Sequence, residues 1–248
     1  MKNRSHQKKD DVNEYLLLGA SKNNFDELFN VENPWKLNSP VEQLRYRLTL
    51  NYIMKNFIPK STYILELGCA EGNFTEWLSK YGYKTTAVDI SENAIKKANE
   101  KKIPQTQFVR SGMIEYVENN EISKYNVILL MECFYYLTAE LKYKFISLLF
   151  EKTNPEVTIF ISFPVRKNNP MFPSENDIIE LFKKSNLIND FPYFPRVVTL
   201  KGKIGILVSG IKNLTVIVTI FKFFKAIIPN RVNQMLFKFV KIEKFVNV

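Results

Sequence analysis

The sequence predicts an α/β fold, a mostly parallel, seven-stranded sheet with helices on both faces. Three observations carry this. Apolar runs of strand length alternate with stretches of helical pattern. One run, Ile64-Leu65-Glu66-Leu67, passes straight into Gly68-Cys69-Ala70-Glu71-Gly72 and then a helical stretch. That is the strand, glycine turn and helix of a ligand-binding βαβ unit. The next strand ends at Asp89, where an acid can accept hydrogen bonds from both hydroxyls of a ribose.

In chain order, residues 1–22 are polar and basic and read as a disordered tail, without the apolar stretch of a signal peptide. Residues 25–29 suit a helical turn. Ser39 can cap a helix, Pro40 suits its first position and Glu42 completes a capping box. That helix should reach residue 57, with Leu44, Leu48, Tyr52 and Ile53 on one face, before Pro59 ends it. After the first strand come a helix over 73–80 and a strand over 84–88. Ser91 caps a helix to residue 101. Residues 105–110 read as the third strand and 113–120 as a short helix. Residues 125–131 are nearly all apolar, as a central parallel strand should be. A helix over 140–152 leads to a fifth strand over 157–163. Pro173 and Ser174 open a helix to residue 184. Residues 196–200 and 203–209 are expected to pair as an antiparallel hairpin, turning at Lys201-Gly202. Two more helices are expected over 211–228 and 231–246. The main domain so outlined spans 23–209, with a basic amphipathic helical extension over 210–248.

The net charge is +10, and it is unevenly placed. Residues 196–248 hold ten Lys and Arg against one acid, whereas residues 1–195 are almost balanced. Cys69 and Cys133 both fall near strand ends, which suggests buried thiols, a reducing cytoplasmic setting and no disulfide framework. The single histidine, His6, lies in the tail, so a folded histidine base is excluded. No metal site is expected.

The glycine loop limits the ligand. Gly68 and Gly72 permit a sharp turn and close backbone approach, and the following helix offers free N–H groups. A dinucleotide fingerprint needs a glycine where Ala70 stands. Glu66 adds negative charge that suits a cationic or zwitterionic ligand better than a pyrophosphate. Glu66-x-Gly68-x-x-x-Gly72 with Asp89 resembles the first motif and ribose acid of Rossmann-like class I S-adenosylmethionine (SAM) methyltransferases. Further stretches narrow the comparison: Asn33-Pro34-Trp35, Gln43-Leu44-Arg45-Tyr46, Val88-Asp89-Ile90-Ser91 and Glu132-Cys133-Phe134-Tyr135-Tyr136-Leu137. Over residues 25–140 the chain is similar to the NodS-like methyltransferases.

The resemblance implies SAM as methyl donor, S-adenosylhomocysteine (SAH) as product, and a saccharide or amine acceptor. It implies a cofactor site from Glu66, Gly68, Cys69, Ala70, Gly72, Asp89, Ile90, Gly112 and Met113. Arg45, on an N-terminal helical lid with Trp35 and Tyr46, is placed to meet the SAM carboxylate; a solvated helix face is its alternative. The third strand runs into Arg110-Ser111-Gly112-Met113. It therefore lacks the acid that usually contacts the adenine amino group. Methyl transfer needs positioning first and a base only where the acceptor must lose a proton. Glu132, just past the fourth strand, is the candidate base or orienting group, with a structural role as the alternative. Tyr135 and Tyr136 suit an acceptor wall, or core packing for at least one of them.

The C-terminal residues 201–248 interleave lysines with large apolar side chains. Lys222, Lys225, Lys238 and Lys241 fit contact with an anionic membrane surface and a lipid-linked acceptor; a packing helix with a solvated basic face fits equally. No apolar run is long enough to span a bilayer. Competing readings are an NAD oxidoreductase and a SAM-binding or membrane-surface module without catalysis. The first lacks a Tyr-x-x-x-Lys pair. Specific nucleic-acid methylation lacks its Asn/Asp-Pro-Pro-Tyr/Phe motif, and a basic tail alone gives non-specific phosphate binding.

Overall fold

Strand β1 (Tyr63–Leu67) occupies the middle of the sheet because it is buried on both faces from Ile64 on: Ile64, Leu65 and Leu67 admit no solvent. Parallel pairing needs such strands, since crossover helices cover both sides. In the computed structural model β1 pairs with β2 (Lys84–Asp89) on one side and β4 (Val127–Met131) on the other. Beyond them lie β3 (Thr106–Arg110) and β5 (Thr158–Pro164), all parallel. The order β3-β2-β1-β4-β5 reverses direction at β1. A crevice opens at such a switch point, outside the carboxyl ends of the strands. The structure describes residues 22–164, 172, 174–184, 187–189, 196–200, 211, 216–217, 219–220 and 232–241.

The helices begin where their caps place them. Ser39 Oγ accepts from Glu42 N at 3.4 Å and starts α2 (Pro40–Met54). Gly72 opens α3 (Asn73–Lys80), Ser91 Oγ caps α4 (Glu92–Glu100) through Ala94 N at 3.2 Å, and Gly112 precedes α5 (Met113–Asn119). Thr138 caps α6 (Ala139–Lys152), and Ser174 with Asp177 forms a capping box on α7 (Glu175–Lys183). Helix α1 (Lys22–Leu28) docks on α4 from outside. Its Asp26 Oδ1 accepts from Ser91 Oγ at 2.8 Å and Glu92 N at 2.7 Å, a carboxylate seated on a helix N-terminus.

The sheet closes differently from the sequence expectation. Residues Val232–Lys241, expected within a helix over 231–246, form strand β8, antiparallel to β5. Two short strands, β6 (Leu187–Asn189) and β7 (Arg196–Leu200), pair with successive parts of its other edge. So 196–200 finds its partner in β8, and the second half of the expected hairpin, 203–209, lies outside the described residues. The boundary at 209 also falls: 232–241 belong to the sheet, not to an extension. The run is ambiguous because Leu236, Phe239 and Val240 have helical spacing while Phe237 and Phe239 alternate. The free edge of β5 and the ring stacking decide it. Phe239 stacks on Phe182 at 4.0 Å and Phe237 on Phe163 at 5.0 Å.

This removes part of the basis for a basic membrane-binding helix. Lys238 and Lys241 are strand residues, while Lys222 and Lys225 lie outside the described residues, as does the tail over 1–21. Residues 216, 217, 219 and 220 are helical, within the helix expected over 211–228. No helix among the described residues is long and apolar enough to cross a membrane.

The role of β8 has a measurable consequence. Phe239→Ala removes a fully buried ring and should destabilise the protein by about 3–5 kcal/mol. Denaturant unfolding monitored by circular dichroism checks it; a change under about 0.5 kcal/mol, usual for a surface position, would contradict the sheet placement.

Candidate functional site

The turn after β1 is built on left-handed backbone. Gly68 and Gly72 have φ of 77° and 72°, and Ala70 between them has 49°. A Cβ on Gly68 would lie 2.6 Å from Cys133 Cβ, so the loop can only reach this position without one. Gly68 N and Cys69 N both donate to Val88 O, at 2.7 and 3.0 Å. Asp89 completes the attachment: Oδ2 accepts from Ala70 N at 2.8 Å and Oδ1 from Ser91 N at 2.9 Å. A carboxylate has about four acceptor positions, so capacity for ribose hydroxyls is left.

Every candidate residue except Gly72 lines one cavity of about 860 Å³. Gly72 instead serves the backbone, where α3 begins: a Cβ there would meet Phe108 Cζ at 2.9 Å. Glu66, Asp89 and the loop form the floor at the strand ends. Ile90, Gly112 and Met113 line the side beyond β2, and Glu132, Tyr135 and Tyr136 the side beyond β4.

The floor is acidic and dry. Glu66 is only 2 % exposed, and its Oε2 accepts from Thr75 Oγ1 at 2.6 Å. Burial lifts its pKa from 4.5 to about 7, against the opposing pull of Thr75 and Arg45. Burial likewise lifts Asp89 from 3.8 to about 6, against backbone donors at Ser91, Ala70 and Ile90. Arg45 is no solvated helix residue: it is 3 % exposed, and its Nε donates to Glu42 Oε2 at 2.7 Å. Its Nη1 is buried with no hydrogen-bond partner among the described residues. An unpaired guanidinium N–H lining a cavity suits a ligand carboxylate.

Glu132 is held in the left-handed region, φ 60°, by a backbone bond from its N–H to Ser162 O at 3.0 Å. Such a conformation costs about 1–3 kcal/mol and persists where the surroundings impose it. Tyr135 and Tyr136 follow in a 3-10 turn, their rings 4.5 Å apart. Tyr135 is buried, which together with Tyr136 and Glu132 raises its pKa well above the usual value. It is therefore a neutral wall, not a base.

Several lining residues escape the sequence reading. Glu115 supplies a carboxylate just after the third strand, where none was expected. Its Oε2 accepts from Ser111 Oγ at 3.0 Å and Gly112 N at 3.1 Å. The signal was a Glu three residues after the cap position, spaced to reach back to the cap N–H. Phe25 lines the cavity from α1, Phe29 from just after it, and Phe172 from before α7; only tertiary packing brings them there.

The two raised acids set a pH dependence. Each binds its proton more tightly folded than unfolded, so the stability each contributes is complete below its unfolded pKa. It is lost as pH rises, over 4.5 to about 7 for Glu66 and 3.8 to about 6 for Asp89. Glu66→Gln keeps an acceptor for Thr75 and should flatten the decline between pH 4.5 and 7. Thermal unfolding of both proteins across pH 4–8 measures it; parallel curves would contradict the assignment.

Comparison with known proteins follows the geometry. The family model for nodulation protein S (NodS) matches residues 20–154. No curated protein matches the chain. NodS from Bradyrhizobium japonicum WM9, solved with SAH, superposes with a TM-score of 0.63 at 17% identity, over 88% of this chain and 96% of that one. The 1,6-didemethyltoxoflavin-N1-methyltransferase of Burkholderia thailandensis gives 0.62 at 11% identity, over 90% and 87%. A Haemonchus contortus phosphoethanolamine N-methyltransferase, solved with phosphomonomethylethanolamine and SAH, gives 0.57 at 15% identity. The match covers 90% of this chain but spans only 61% of the length of that enzyme. At such identities the superpositions speak for the fold. More than half of the chain matches the family model, and the chain belongs to the NodS family of SAM-dependent methyltransferases.

Proposed function

We propose that the chain transfers a methyl group from SAM to a nitrogen or oxygen of a small-molecule acceptor. The observation that carries this is the continuity of one cavity. It runs from the glycine loop held by Asp89, past the buried Arg45, to Glu132 and a ring-lined mouth. When bound, SAM supplies a methyl group activated by a sulfonium.

The residues take separate tasks. Asp89 accepts from the ribose hydroxyls with the lone pairs that Ala70 N and Ser91 N leave. Arg45 pairs with the carboxylate of the methionyl end through Nη1. Glu115 and the backbone of Gly112 and Met113 border the adenine. Glu66 adds negative potential under the ammonium and sulfonium. Glu132 orients the acceptor and accepts its proton as the new bond forms. The protein otherwise excludes water and aligns donor with acceptor. The family resemblance supports a saccharide or amine acceptor; the basic C-terminal composition is what supports a lipid-linked one.

Two measurements test the reading. Calorimetry should show binding of SAM and SAH but not NAD, and Asp89→Ala should weaken SAM by roughly 1.5–3 kcal/mol. NAD binding with no response to SAM would refute it. With an acceptor that the wild type methylates, Glu132→Gln should lower turnover by about a hundredfold or more while SAM affinity changes little. Near-normal turnover would leave Glu132 a structural residue.

A further inference from the structure

Resting on that reading of the cavity, we infer that Glu66 sets the preference for the charged donor over the spent product: its carboxyl gives up a proton when SAM enters and takes one back once the methyl group has left. The floor places it for this. Glu66 stands on the central strand, registered between Ala87 of β2 and Leu129 of β4. It is 2 % exposed yet lines the cavity, so little water reaches it while a ligand can. The hydrogen bond it accepts at 2.6 Å comes from Thr75 Oγ1, a neutral hydroxyl on α3. Buried carboxylates that stay ionised have a paired cation or several donors.

The groups that face Glu66 among the described residues do little to hold its charge. Arg45 from α2 attracts it, but that guanidinium already donates through Nε to Glu42 Oε2 at 2.7 Å. Tyr46 from the same helix, Cys69 in the loop and Cys133 after β4 are kept neutral by burial, which raises the pKa of each. Asp89 at the end of β2 repels it. Asp89 itself takes backbone N–H groups from Ala70 and Ser91, donors suited to an anion. Burial, opposed by Thr75 and Arg45, accordingly lifts Glu66 to about 7 while Asp89 reaches about 6. Below about pH 7 most Glu66 carboxyls therefore carry a proton that a ligand can displace.

Donor and product differ in charge at one atom. Both bring an ammonium and a carboxylate, and the carboxylate goes to Arg45. SAM alone adds a sulfonium. Two cations close to Glu66 favour its ionised form more than one does, and the displaced proton passes to bulk water. Methyl transfer breaks the carbon–sulfur bond and leaves its electron pair on sulfur. The sulfonium becomes a neutral thioether, the carboxylate loses part of its support, and it takes a proton from water. Binding that ionises a group strengthens as pH rises toward the pKa of that group in the free protein. The preference for SAM over SAH therefore grows with pH while Glu66 titrates.

The test uses the full chain at about pH 6, where the α-ammonium of each ligand keeps its proton. Calorimetry in phosphate and in imidazole, buffers of different ionisation enthalpy, counts the protons released per ligand bound. SAM should release about half a proton or more beyond SAH. Sinefungin, which carries an ammonium in place of the sulfonium, should follow SAM. Between about pH 5 and 7 the affinity for SAM relative to SAH should rise about tenfold, the equivalent of one pKa unit. Glu66→Gln cannot ionise, so the excess release and the pH slope should both vanish. Thr75→Val takes away the donor to the carboxylate and should move the slope to higher pH, which keeps the test open if the glutamine variant does not fold. Equal release by SAM and SAH in the wild type would overturn the inference. So would an excess that survives in Glu66→Gln, or a slope that Thr75→Val leaves in place. Failure of the wild type to bind either SAM or SAH would instead overturn the methyltransferase reading beneath it.

Discussion

One carboxylate, Asp89, holds the site together. It takes Ala70 N from the glycine loop and Ser91 N from the start of α4, so two segments nineteen and two residues away meet on one group. Ser91 in turn donates its hydroxyl to Asp26, and Asp26 carries the helix whose Phe25 touches Tyr136. The glycine loop and the aromatic wall of the cavity are thus joined by a short series of hydrogen bonds and one ring contact. Two carboxylates share the same helix start, and burial with mutual repulsion keeps Asp89 above its ordinary pKa. Backbone N–H groups and the helix N-terminus offset that cost.

The cavity is maintained at some expense to the fold. Ala70 and Glu132 both lie in left-handed backbone, each at about 1–3 kcal/mol. Glu66 and Asp89 are buried acids whose pKa values burial raises, to about 7 and about 6. Stabilisation comes from the neighbouring core, where β1, β4 and β5 are buried on both faces. A cationic ligand above the floor would favour the ionised acids. Local strain and unfavourable charge therefore coincide with the surfaces assigned to chemistry.

Much of this was legible in the chain. Residues 63–119 follow the sequence reading closely because their decisive contacts are local: a cap to the next turn, a glycine to its own loop, a strand to the strand one crossover away. The acids Glu66, Asp89 and Glu132 could be placed because a parallel sheet puts its functional residues at strand ends. Gly72 was grouped with the ligand residues because a loop motif does not say which glycine faces outward. Glu115 went unseen because it lies three residues beyond Gly112 and reaches back through its side chain.

The sequence alone determined the parallel α/β core, the glycine turn, the acid at the end of β2 and the likeness to one methyltransferase family. All of these rest on spacing within short segments. Tertiary structure decided the rest. A ten-residue segment became β8, a strand and not a helix, because β5 offered an unpaired edge and Phe182 and Phe163 offered rings to stack on. Arg45 became a buried cation beside Glu42 because α2 packs over the cavity. Phe25 and Tyr136 met across 111 positions because Asp26 docks α1 on α4. Burial and partnership across such distances depend on what folds alongside, and no local pattern encodes that.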